Sequence, residues 1–161
     1  MLEEESGDLL AAMTQRVKIK AAIDSGAVAN VIHPRELPDD AEPEPNEAGT
    51  HFSGAGGGRI TKYGFCKTVL EQNGERVGCN WSLADVTRPL HAVSQVTGPV
   101  DEPGRQDVLF TNKRCVIVPP GVVDKIMREY NIKPVLEYQR EGNLYLAEME
   151  MSSFRRQGMD A

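Results

Sequence analysis

Asn73-Gly74 narrows what this chain can fold into more than any other pair of residues. An Asn-Gly step between two alternating runs is the strongest short-range hairpin signal, because both residues tolerate the positive φ of a tight two-residue turn. Before it, residues 50–72 read as two strands hinged at a glycine cluster, Gly54 to Gly58. After it, Arg76 to Val86 continues as the partner strand, with Trp81 and Leu83 on one alternating face that should lie in the core. The same punctuation recurs along the chain. Val17 to Ile23 alternates apolar and basic residues as a half-buried strand does. Asp107 to Val118 reads as a hairpin turning at Asn112-Lys113, and Val135 to Met151 folds back around Glu141-Gly142-Asn143. Three segments have helical spacing: residues 2–15, Pro89 to Thr97, and Val122 to Tyr130. Short strands with frequent turns and two or three short helices predict a mainly β fold, a small closed β-barrel.

The 161 residues suffice for one domain with a real core. With a mean hydropathy of -0.40 and no apolar run near the ~18 residues of a membrane span, no membrane association is expected. The acidic start, Met1 to Asp8, lacks the basic opening of a secretory signal, and three cysteines cannot form a complete disulfide framework. An intracellular, cytoplasmic setting is the expectation. The cysteines contain no Cys-x-x-Cys pair, and His33, His51 and His91 are scattered, so no metal site and no cofactor is predicted. The net charge of -6 is local: residues 36–47 hold six acidic groups and no basic ones, and the remainder balances. This Pro-rich acidic tract is expected to be a solvated loop. No basic stripe interleaved with aromatics suggests a nucleic-acid partner.

The candidate site is the turn after the first strand. Ala21 to Ile23 delivers Asp24 into Ser25-Gly26-Ala27. A strand-borne carboxylate in a Ser-Gly turn can act on a water, with the Ser25 hydroxyl expected to hold the turn and Gly26 expected to bend where a Cβ would clash. Such a triplet arises by chance in roughly one chain in ten of this length, so its neighbours must carry the argument.

Read in order, four segments resemble the retropepsin-type aspartic proteases, particularly those of copia-like retrotransposons. Ile23-Asp24-Ser25-Gly26-Ala27 is similar to the family's active-site turn. The cluster Gly54, Ala55, Gly56, Gly57, Gly58, followed by Arg59-Ile60 and Tyr63-Gly64, resembles the flap and the strand after it. Ala84 to Pro89 and then Leu90 to Val96 resemble the stretch leading through a proline into the family's helix, and Val108 to Phe110 with Cys115 to Ile117 its following hairpin. Order and spacing agree over residues 17–118. There are departures: Val28 stands where the copia-like pattern has Thr, Asn30 where it often has His, and Ala92 is the nearest small residue to the family's apolar-apolar-Gly element.

The resemblance implies an aspartic endopeptidase. Peptide hydrolysis by this route needs two carboxylates sharing one proton, one activating water and one protonating the amide. This chain has one Asp-Ser-Gly; Asp85 and Asp107 are followed by Val, and Asp101 by Glu. Two chains about a two-fold axis would each give one Asp24. The expected arrangement is a homodimer cleaving an extended peptide, a polyprotein or protein partner, with a flap at about residues 52–62. Residues 1–15 would be an N-terminal extension, 16–150 the retropepsin-like domain and 151–161 a disordered tail. The alternative is a catalytically inactive retropepsin-like barrel used for dimerisation or peptide binding.

Overall fold

In the computed structural model, residues 15–45, 51–53 and 59–154 are described, with backbone alone for 51–53 and 59–63. The expected N-terminal helix, the flap tip Gly54 to Gly58 and the tail from residue 155 lie outside the described residues.

Eleven strands and two α-helices make up the described chain. Seven strands form one sheet: β1 (Ala22–Asp24), β2 (Val31–Ile32), β3 (Glu44–Pro45), β4 (His51–Ser53), β5 (Arg59–Gln72), β6 (Glu75–Ala84) and β7 (Leu90–Ala92). Their pairing runs β1-β7-β2-β6-β5-β3, with β4 on β5. The β5–β6 hairpin turns at Asn73 (φ 53°) and Gly74 (φ 80°), the left-handed pair that the dipeptide predicted. β4 and β5 pair antiparallel, Ser53 opposite Arg59, so residues 54–58 join the ends of a hairpin.

Alternation along β6 brings Cys79, Trp81 and Leu83 to one face, where they meet Ile32, Leu37 and Cys66 in the core, with Ile19, Ala41 and Leu70 against it. The Trp81 indole N–H donates to Thr68 Oγ1 at 2.8 Å, and that hydroxyl donates to the Cys79 carbonyl at 3.0 Å, which satisfies the buried polar groups. Burial pushes the Cys79 thiol up to about 12.

Two expectations need correction. The acidic tract is not wholly a solvated loop. Leu37 enters the core, Ala41 packs on it, and Glu44 and Pro45 pair with Phe65 and Gly64 as β3. Two apolar residues on the core and a partner strand thus order part of a charged segment. Pro89 to Thr97 is not one helix either. Leu90–Ala92 is the internal strand β7, and helix α1 covers only Val93–Thr97, stopped by Gly98 at φ 89° with the Arg105 side chain lying over it.

Beyond α1, β8 (Asp107–Phe110) and β9 (Cys115–Val118) form the expected hairpin, α2 (Val122–Glu129) follows, and β10 (Gln139–Glu141) pairs with β11 (Leu144–Leu146). No described helix is long and apolar enough to cross a membrane.

Candidate active site

The turn at Asp24 is built by a strand that arrives from far along the chain. β1 and β2 are consecutive, yet β7 lies between them: parallel to β1, with Asp24 opposite Ala92, and antiparallel to β2, with Val31 opposite Leu90. The Ala22 amide donates to the Pro89 carbonyl at 2.9 Å and starts this register. Residues 25–30 must therefore loop around the end of β7, and Asp24 stands where the loop departs.

Asn30 fixes the loop at its far end. It is 6% exposed. Its Oδ1 accepts from the Ala92 amide at 2.8 Å and its Nδ2 donates to the Asn80 carbonyl at 3.1 Å, while its own carbonyl accepts from the Ser82 amide at 2.7 Å. One side chain thus bonds β7 and β6 together. Ala92, fully buried, leaves room for this close approach. The sequence signal for this role was faint: an Asn in an apolar run, V-A-N-V-I, where a polar side chain needs buried partners.

Helix α1 braces the loop from beneath. The buried Ser94 Oγ donates to the Ala27 carbonyl at 3.2 Å, and Gln95 Nε2 donates to the Val28 carbonyl at 3.0 Å. Both bonds go to main-chain carbonyls, and Val28 is 49% exposed.

Within the turn, Asp24 Oδ1 accepts from the Gly26 amide at 2.8 Å, which orients the half-buried carboxylate at the end of β1. Two physical expectations change. Gly26 does not adopt a left-handed conformation, and a Cβ there would meet Asp24 Oδ1 at 3.5 Å, an ordinary contact. Its contribution is the amide, not conformational freedom. Ser25 is exposed and makes no hydrogen bond among the described residues; Ser94 does the holding assigned to its hydroxyl. Ala27 is half-buried and contributes its carbonyl.

Two other aspartates are committed elsewhere. Asp107 Oδ2 accepts from the Val123 amide at 3.0 Å and caps α2, and Asp85 sits 3.3 Å from His33 Nε2. His91 lies on β7, not on a helix. Its ring is 6.3 Å from that of Trp81, and burial lowers its pKa. It is opposite Ile23 in register, so its side chain points away from the face that carries Asp24. No group of three potential metal ligands occurs among the described residues. Compared with known proteins, the chain matches no family model, no curated protein and no solved structure.

Proposed function

We propose that this chain is half of an aspartic endopeptidase of the retropepsin type, a small acid-protease barrel in which each copy of a homodimer gives Asp24 to a shared cleft. The observation that carries the reading is the setting of Asp24: a carboxylate at the end of a strand, bonded to the Gly26 amide, in a loop clamped by Asn30 on one side and by Ser94 and Gln95 on the other. A hydrolytic carboxylate must be held in place before substrate arrives, and this support is built around one residue. The β4–β5 hairpin supports it further, since its ends at Ser53 and Arg59 carry the glycine-rich segment as a flap would be carried.

The dyad acts on an extended peptide. One Asp24 takes a proton from water as it attacks the carbonyl, and its twin, protonated, gives a proton to the amide. The substrate is a polyprotein or a protein partner, with no cofactor needed. The alternative, a catalytically inactive barrel for dimerisation or peptide binding, shares the scaffold and differs in that Asp24 does no chemistry. Digestion of a mixed peptide pool between pH 4 and 7, with light scattering on the same sample, separates them. Cleavage by the wild type that is lost in Asp24→Asn, from a dimer of unchanged mass, is the expected result. Cleavage surviving in Asp24→Asn, or a strict monomer at high concentration, would end the protease reading.

A further inference from the structure

Helix α1 has five residues and no side-chain cap at its N-terminus. A single turn of helix does not hold itself in place, so its position is set by what it touches. One face is buried through Val93, Ser94 and Val96. Its last residue, Thr97, meets an element far along the chain.

The β10–β11 hairpin pairs with no other strand among the described residues, and an isolated two-stranded ribbon is marginal in water. Of its six strand residues, Gln139, Glu141, Leu144 and Leu146 are exposed. The inward pair is Arg140 and Tyr145, opposite each other in register, and both reach Thr97. Arg140 Nη1 lies 3.0 Å from Thr97 Oγ1 and 3.3 Å from the Tyr145 hydroxyl, which is itself 2.8 Å from Thr97 Oγ1.

The proton count gives each bond its direction. Thr97 Oγ1 donates its one proton to the Val93 carbonyl at 3.1 Å, so both of its lone pairs accept: one from Arg140, one from the Tyr145 hydroxyl. The Tyr145 oxygen accepts in turn from Arg140, whose guanidinium also stands 5.3 Å from the centre of the Tyr145 ring. Arg140 Nε donates to the Gly142 carbonyl at 2.6 Å, which fixes the guanidinium against its own hairpin. The bonds of Thr97 Oγ1 join the hairpin to the helix that carries Ser94 and Gln95, and the Nε bond holds the guanidinium to the hairpin.

We propose that Arg140 and Tyr145 are positioning residues that act through Thr97: the C-terminal hairpin is a latch that holds α1 where Ser94 and Gln95 brace the Asp24 turn. The role rests on the reading of Asp24 as the reacting group, and it gives residues 139–146 a part in the site although they lie outside the stretch that resembles a protease.

Amide hydrogen exchange at residues 25–29 tests the latch without requiring activity, and peptide hydrolysis is measured alongside. Tyr145→Phe keeps the ring and removes one bond; Thr97→Val removes the acceptor; Thr97→Ser restores it. The Gly26 amide should exchange about fivefold faster in Tyr145→Phe, more so in Thr97→Val, and near the wild-type rate in Thr97→Ser. Amides of β5 and β6 around Leu70 and Val77 should not change. In kinetics, kcat should fall as exchange rises while KM and dimer mass hold. Unchanged exchange at residues 25–29, or equal acceleration throughout the molecule, overturns the latch. If the wild type does not hydrolyse peptides, the protease reading fails and exchange still decides the latch. If it hydrolyses them and exchange is unaltered, the latch alone fails.

Discussion

His91 shows how a residue next to the site can limit the conditions in which the site exists. Burial beside Trp81 holds its pKa below the ordinary 6.5. Above pH 6.5 neither the folded nor the unfolded chain binds a proton there, and His91 does not alter stability. Below it the unfolded chain takes up the proton that the folded chain refuses, so stability falls with pH until the folded value is reached. Urea midpoints should therefore drop between pH 7.5 and 5.5, and His91→Phe, which keeps a ring against Trp81, should flatten that slope. An unchanged slope would remove His91 as the cause. At this scale the sequence marked Asp24 as a candidate from its immediate neighbours, and the structure sets it at the end of β1 with the Gly26 amide on its carboxylate. The holding role fell instead to Ser94, whose link to Ala27 spans 67 residues and leaves no trace in the triplet itself.

Among the elements, β7 carries the most and was the least legible. Proline followed by apolar residues at mixed spacing looks like the start of a helix, and only the pairing with β1 and β2 makes Leu90–Ala92 extended. Tertiary pairing overrode a weak local signal, as it commonly does for three-residue strands. The β5–β6 hairpin was legible because its turn is encoded by adjacent residues. Asn30 should be the test of the β7 junction. Asn30→Leu leaves the Ala92 amide buried without an acceptor, at a cost of about 2 kcal/mol. A lower urea midpoint at unchanged slope is expected, together with reduced cleavage. A midpoint within error of wild type would show that β7 is held without it.

For the whole molecule, packing is uneven. The core lies around Trp81, whereas helix α2 buries no residue fully, and Val135 and Met151 are 97% and 96% exposed. Tyr130, Leu136, Leu146 and Phe154 are exposed as well. Surfaces of this kind lower the free energy of association, and an associating protein gains stability with concentration. The thermal midpoint should rise by a few degrees over a hundredfold increase in protein concentration, read by scanning calorimetry. A midpoint independent of concentration would count against the homodimer. The sequence foretold mainly strands with short helices from its punctuation. It did not reveal the uneven packing, because alternation marks which faces are apolar and not which are covered.

The insertion of β7 between β1 and β2 also orders events in time. Asp24 is made early, but the strand beside it, the side chains beneath its loop and the hairpin on Thr97 are made later. A chain growing from its N-terminus carries the carboxylate in an unformed loop until residues beyond Thr97 have emerged and threaded into place. Closing contacts over so many residues is slow compared with forming a local hairpin. On the proposed reading, a nascent chain is inert toward its neighbours until residues 139–146 have emerged and closed on Thr97.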